Sequence, residues 1–433
     1  MYRFIRWRRQ VVLAALCGCL GFPHCVSAAN ISPLGWRPHW SILEKYQETI
    51  THDEFVHLLQ DVYCTHGMPE NMIQVGPDSA RILCDKEKQS FFILHFARDD
   101  ASRKRIPRWW RPAAALGAAK SERPISGVQI ALDPGHLGGR WAKMEERWFQ
   151  VDDSKPVKEG DMTLRVTRLL APCLRKLGAS VSFVRNHTRP ATPKRPDDFV
   201  ALARKILKGS IPSEDKAVED YDQLTRSEKR RLVRHESELL FYRRSEIRHR
   251  ALRVNGKLEP DLVLCLHFNA ESWGDSNSPT LVDLNHLHLL VNGSYLESEL
   301  EFDDQRFEML RKLLSRSYDQ ALPIADKCAE VMAKETGLPR YQYPTTQTTT
   351  RVGTSGYVYA RNLMATRLYR CPVVYFEPYV MNGKDAFARI QAGDYEGVKK
   401  VNGIERKSIY REYADSVADG LADYYRAARR KAD

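Results

Sequence analysis

From residue 127 onward, short apolar runs alternate with helical patterns, and few architectures accept that arrangement. Residues 128–132 place Val128, Ile130 and Leu132 at every second position and stop at Asp133, Pro134 and Gly135. Residues 159–177 carry Met162, Leu164, Val166, Leu169, Leu170 and Leu174 at helical spacing; Gly178 marks the end and Pro172 predicts a kink. Further strands are expected over 180–185, 261–268, 286–291 and 372–376, with helices over 236–254, 304–322, 324–336 and about 407–426. Strands and helices in this order bury best as an α/β fold: a mostly parallel, twisted sheet with helices on both faces. The stretch 187–245 is strongly charged, rich in helix formers, and reads as an insertion between strands.

Ahead of this region, 30–98 reads as a small α+β unit. Thr51 and Glu54 make a capping box before Phe55, Val56, Leu58, Leu59 and Val62, and short strands follow at 80–84 and 91–96. Residues 99–126, with Arg103, Lys104, Arg105, Pro107, Trp109, Trp110 and Pro112, read as a solvated basic linker; a Trp/Arg patch touching wall or membrane is the alternative. With 43% hydrophobic and 28% charged residues among 433, the chain is neither disordered nor collagen-like.

Residues 1–29 have the layout of a secretory signal peptide: Arg3, Arg6, Arg8 and Arg9, an apolar run too short to span a bilayer, then small residues. Cys19 within Leu16-Cys17-Gly18-Cys19 loosely matches a lipidation site, a minority reading beside export to the periplasm or cell envelope. No other stretch is apolar enough for a membrane span. The four arginines account for part of the formal charge of +12 and leave +8. That surplus suits an anionic polymer or an acidic surface, but export and the absence of a recognisable module disfavour nucleic acid. Outside the export segment six cysteines remain, without a C-x-x-C pair, so a zinc knuckle is not expected. Cys64 and Cys84 are near enough in sequence to be candidates for a disulfide, whereas Cys265 and Cys371 read as buried thiols.

Chemically active residues stand at the ends of the expected strands. His136 follows the first, His267 ends the 261–267 run, Glu377 ends 372–377, and Glu159 opens the helix after the first strand. Open α/β sheets build their sites beyond the carboxyl ends of strands, so these four are expected on one rim. Two imidazoles and a carboxylate suffice for a catalytic zinc with a fourth position left to water, and a further carboxylate nearby can shuttle the proton of that water. Each residue also has a plain structural reading: a core histidine, a turn residue, a helix N-terminal acid, a salt-bridge partner. His286 and His288 share a face of one strand and read as structural, with metal ligation as the alternative.

Four strings carry a resemblance as well: IALDPGHLGG over 130–139, EGDMTL over 159–164 with the strand ending at Arg185, DLVLCLHFNA over 261–270, and PVVYFE over 372–377 followed by Asn382. In this order they resemble the motifs of zinc-dependent N-acetylmuramoyl-L-alanine amidases of the amidase-3 type, over about 127–429. The resemblance implies one zinc ion held by His136, Glu159 and His267, Glu377 as the catalytic carboxylate, and peptidoglycan as substrate. Glu145 and Glu146 compete with Glu159 for the ligand position, and Glu159 is preferred because only it opens the helix. Asn269, in the third motif, is a candidate for contact with the substrate. Arg361 and Arg367 are candidates for stem-peptide carboxylates, against a solvated role. In some relatives a helix within the catalytic domain blocks the zinc until a partner protein removes it, which makes the 187–245 insertion a candidate brake beside its reading as a solvated excursion. Another zinc peptidase acting on the stem peptide and a non-catalytic wall-binding protein are the remaining alternatives.

Overall fold

The computed structural model describes residues 30–67, 69–119, 121–276, 278–343 and 348–429. The expected signal peptide and the Cys19 lipidation site lie outside the described residues. Among the described residues no helix is long and apolar enough to cross a membrane.

The N-terminal part holds helix α1 (His52–Leu58) and an antiparallel sheet of β1 (Ile73–Val75), β2 (Ser79–Asp85) and β3 (Ser90–His95). The capping box forms as expected, with Glu54 reaching back to the Thr51 amide. This unit does not close on itself. Its core of Phe55, Leu59, Ile82 and Leu94 continues into Phe307, Leu310 and Leu313 of a later helix. The disulfide expectation fails, since Cys64 and Cys84 are both free thiols and the Cys64 sulfur packs 3.9 Å from that of Met309.

The main sheet contains β4 (Gln129–Pro134), β7 (Ser180–Phe183), β8 (Leu262–Leu266), β9 (Leu287–Val291), β10 (Thr350–Val352), β11 (Val358–Ala360) and β12 (Val373–Pro378). Between β4 and β7 lie a two-stranded ribbon, β5 (Trp148–Phe149) with β6 (Val157–Lys158), and the helix α2 (Glu159–Lys176). Seven strands run in the order β10-β11-β9-β12-β8-β4-β7. β12, β8, β4 and β7 are mutually parallel, while β9 runs antiparallel to β12. The reversal of β9 has a plain cause: among the described residues no helix lies between β8 and β9, and without a crossover the chain returns the other way.

Helices cover both faces, as the alternation requires. Ile130, Leu132, Leu262, Leu264 and Phe376 point to the face occupied by α2, α8 (Ser317–Thr336) and α11 (Ile409–Ala428). Ala131, Val263, Cys265 and Val373 point to the other, beneath α5 (Glu246–Arg253), α9 (Met364–Leu368) and Trp110. Cys265 and Cys371 are buried thiols. The remaining helices are α3 (Val200–Leu207), α4 (Arg226–Leu239), α6 (Glu297–Leu300), α7 (Asp303–Leu314) and α10 (Lys384–Ala392). The expected helix over 304–322 breaks at Arg316, whose backbone is left-handed, so α7 and α8 are separate.

Two expectations about polar segments change. Residues 99–126 are not simply solvated: Trp110 is buried, Arg111 pairs with Asp261 at 2.6 Å, and Arg103 pairs with Glu54 at 2.6 Å. Apolar and charged side chains there spend themselves on the main sheet and on α1. The helix placed at 236–254 begins earlier, because α4 runs through a π-helical turn (Leu240–Ser245) directly into α5. The insertion has its own small core of Ile206, Tyr221, Val233 and Phe241, which packs on Leu137 beside Trp141.

Candidate functional site: a histidine–carboxylate cluster at the strand ends

Register sets the site. Leu266 of β8 pairs with Pro134 of β4 on one side and Phe376 of β12 on the other. The three strands therefore end level, and His136, His267 and Glu377 emerge at one rim, as the sequence predicts. Glu159, the first residue of α2, faces them. Among the described residues His136, Glu159 and His267 are the only group of three with metal-ligand atoms mutually within 4.8 Å. Glu377, His136 and Glu159 line one cavity of about 540 Å³, and His267 lies behind them, bonded to Glu159 at 3.2 Å.

The glycines of these motifs are there for close approach. A Cβ on Gly135 would lie 2.3 Å from the His267 ring, and one on Gly160 would lie 2.3 Å from the Leu137 carbonyl. The rest of EGDMT ties helix to turn: Asp161 accepts from the Gly139 amide at 3.2 Å, and Thr163 donates to the Gly135 carbonyl at 2.7 Å. His136 itself sits in the left-handed region at φ +51°. Its carbonyl is held by the buried guanidinium of Arg185, which also donates to Pro134 at 3.0 Å and to His187. A second buried guanidinium, Arg250 of α5, bonds Asp133 and the Pro134 carbonyl, each at 3.0 Å.

The electrostatics suit a cation. Burial holds the His267 imidazole down to about 4, so it is neutral near pH 7 and able to lend a lone pair. Burial alone would raise Glu159, but His136, His267 and Arg147 outweigh it and hold the carboxylate well below its ordinary range. Glu377 goes the other way: burial and the Glu159 charge push it well up, with Arg147 and Arg361 opposing.

The donor set fits zinc, since two imidazoles and one carboxylate from rigid strand and helix ends leave a position open toward the cavity. Its support fits too. Glu145, weighed from sequence as a rival ligand, instead holds His136 Nδ1 at 3.0 Å and the Leu137 amide at 2.9 Å, which leaves His136 Nε2 toward Glu159 at 3.4 Å. A carboxylate behind a ligating imidazole fixes its orientation. Glu146 lines the cavity without joining the cluster.

Three neighbours escaped the sequence reading. Tyr375 stacks on the His267 ring at 4.1 Å between centroids, and its place two residues before Glu377 was the only hint. Arg147, on the residue before β5, donates from Nε to His136 Nε2 at 3.3 Å and sits 3.3 Å from Glu159 Oε2. Glu271 lines the cavity and pairs with His286 at 3.4 Å.

The remaining candidates fall in several places. Asn269 lines the cavity, capping the Ala270 amide at 2.7 Å and approaching His286 at 3.4 Å. Arg361 acts on Glu377 and Tyr343 electrostatically but is not among the lining residues. Arg367 is buried on Asn362 at 2.6 Å, so it is unavailable to a ligand. His286 and His288 both pack against the Tyr341 ring, at 4.4 and 4.9 Å, in a wall of rings beside the cavity. None of the lining residues comes from the 187–245 insertion, whose small core packs on Leu137, the residue after His136.

No family model matches the sequence, and no curated protein matches it. Among solved structures, the chain is similar to the N-acetylmuramyl-L-alanine amidase of Mycobacterium smegmatis at 15% identity and a TM-score of 0.36, over 70% of this chain and 99% of that one. It is similar to an amidase of Clostridioides difficile solved in complex with a lipoprotein (11%, TM-score 0.35, 69% and 98%). The N-acetylmuramoyl-L-alanine amidase of Nostoc punctiforme gives 12%, a TM-score of 0.33, and coverage of 69% and 98%. These likenesses are too distant to carry chemistry, which rests on the geometry of the site.

Proposed function

We propose that the chain is a zinc-dependent N-acetylmuramoyl-L-alanine amidase of the cell envelope, cleaving the amide between the lactyl group of N-acetylmuramic acid and L-alanine in peptidoglycan. The observation that carries this reading is the convergence of His136, Glu159 and His267 on one point, with Glu377 in the same cavity wall. The four motifs in order supply the substrate class.

His136, Glu159 and His267 would hold the ion, which when bound supplies an acidified water and polarises the scissile carbonyl. Glu377 takes the proton as the water attacks and delivers it to the departing alanine nitrogen. Its raised proton affinity suits that shuttle, because a carboxylate in the ordinary range is too weak a base to take up a proton readily near neutral pH. Glu145 keeps the His136 ring in place, Tyr375 keeps that of His267. Asn269 and Glu271, beside Glu377 in the cavity, offer the polar contacts for the lactyl-peptide junction, and Arg361, outside the cavity lining but acting on Glu377, is the candidate for a stem-peptide carboxylate.

The test is release of soluble fragments from dye-labelled sacculi, with product analysis and metal content measured together. Glu377→Ala is expected to keep its zinc and lose turnover by about a hundredfold or more. New amino termini on L-alanine identify the amidase. New termini only within the stem peptide identify a peptidase, and pelleting with sacculi without release identifies a binding protein. Full activity in Glu377→Ala refutes the assigned role.

A further inference from the structure

The insertion carries a second concavity, which shares no residue with the histidine–carboxylate site. Val200, Arg204 and Lys208 recur every four residues along α3 and its end, while Arg226, Arg230, Val233 and Ser237 recur every three or four along α4. Each helix therefore turns one face into a shared groove of about 1100 Å³. Its floor combines Val200 with the buried Tyr221 and Val233.

The rim is one-sided in charge. Seven Lys or Arg residues line the groove against Asp197 and Asp222, and Asp222 is taken up by Lys208 at 2.7 Å. Arg204, Arg226, Arg230 and Arg231 are exposed and have no ion-pair partner among the described residues. Arg226, Arg230 and Arg234 stand four apart on α4, and only Arg234 is offset, by Glu238 at 3.1 Å. Like charges at that spacing weaken a helix, so α4 bears a standing cost that an anionic neighbour would relieve.

We infer that the α3–α4 groove binds an acidic amphipathic helix of a partner protein, which would lie between the two helices as a third. Two helices that share a groove but lack a third present the geometry of helix-in-groove recognition, with apolar anchors at i, i+3, i+4 and i+7. An acidic helix supplies both things the groove offers partners for: carboxylates for the unpaired arginines and apolar side chains for Val200, Tyr221 and Val233. A simple polyanion would lay charge over that apolar floor, and a bilayer is too flat to enter the concavity. The inference goes beyond the proposed hydrolysis and does not depend on it.

The experiment uses the full chain and fluorescence anisotropy with a dye-labelled peptide of about 18 residues, Leu at i, i+3, i+4, i+7 and Glu on the flanks. A scrambled peptide of the same composition, poly-glutamate and phosphatidylglycerol vesicles are run beside it. Micromolar binding of the patterned peptide, with helix gained by circular dichroism, is expected. The pair Arg226→Glu with Arg230→Glu should weaken it about tenfold or more. Arg204→Glu, on the other helix, should weaken it as well should the pair fail to fold. Lys399→Glu with Lys400→Glu, an equal charge change on a distant exposed hairpin, should leave it unchanged. Equal loss in the hairpin variant, equal binding of the scrambled peptide or poly-glutamate, binding of vesicles alone, or no binding overturns the inference.

Discussion

Replacing Arg250 with Met tests whether buried charge holds the site together. Arg250, Asp133 and Glu246 are 5%, 4% and 1% exposed. The guanidinium meets Asp133 at 3.0 Å and Glu246 at 2.9 Å. Methionine fills much of the same volume but leaves both carboxylates without a counter-charge. Each keeps something: Asp133 still accepts from the Tyr369 hydroxyl at 2.5 Å, and Glu246 from the Ala191 and Thr192 amides at 2.8 and 2.9 Å. Breaking a buried pair by removing one partner costs about 3–5 kcal/mol, and the retained bonds place this case near the middle, about 4 kcal/mol. Urea denaturation followed by tryptophan fluorescence measures it. Adding Asp133→Asn to Arg250→Met should recover part of the loss, because removing both partners strands less charge than removing one. Zinc affinity should fall alongside, since Arg250 also holds the Pro134 carbonyl two residues before His136. A loss under about 1 kcal/mol, or no recovery in the double variant, refutes the reasoning.

Arg147 takes the same lone pairs of His136 and Glu159 that a metal would, so Arg147→Ala should bind zinc severalfold more tightly in a chelator competition; weaker binding would mean that Arg147 supports the ligands instead. His288 has its affinity for protons lowered to about 3 by burial, with His286 and Arg361 adding to it. Its unfolded value is near 6.5, so the unfolded chain binds the proton first, and stability present above that value is lost as pH falls from about 6.5 toward 3. At pH 5 the loss is about 2 kcal/mol, and His288→Gln should flatten that part of the stability–pH curve. Gly160→Ala should cost about 3 kcal/mol or more in thermal or urea unfolding, because its Cβ meets the Leu137 backbone at 2.3 Å and neither side can yield cheaply.

The strands and their active ends were legible because periodicity and position carry them: the run 262–266 is apolar throughout, and the polar residue that follows it, His267, is the one that joins the cluster at the rim. What escaped depends on contacts between distant segments. Nothing local marks Arg147 as a neighbour of His136, and Glu145 is one of two adjacent glutamates until the turn decides which of them reaches Nδ1. The Arg- and Pro-rich stretch around Trp110 looked solvated because its partners, Asp261 and Glu54, lie on other elements. Proximity of Cys64 and Cys84 in sequence said nothing of their sulfurs, one of which faces Met309. The direction of β9 was hidden because strand-forming residues do not record which way a strand runs.

Glu159 and His267 touch across 108 residues of chain, and His136 and Glu377 reach the same cavity from still other strands. Bringing such remote segments together pays loop-closure entropy before any contact repays it, so the cluster exists only once β4, β8 and β12 are side by side. An ion held by the cluster would therefore be a late arrival, with no nucleating part in assembly. Unlike small domains whose folding is driven by metal capture, this chain should refold at the same rate with or without zinc, and on the proposed function a chelator should strip activity while leaving the sheet standing.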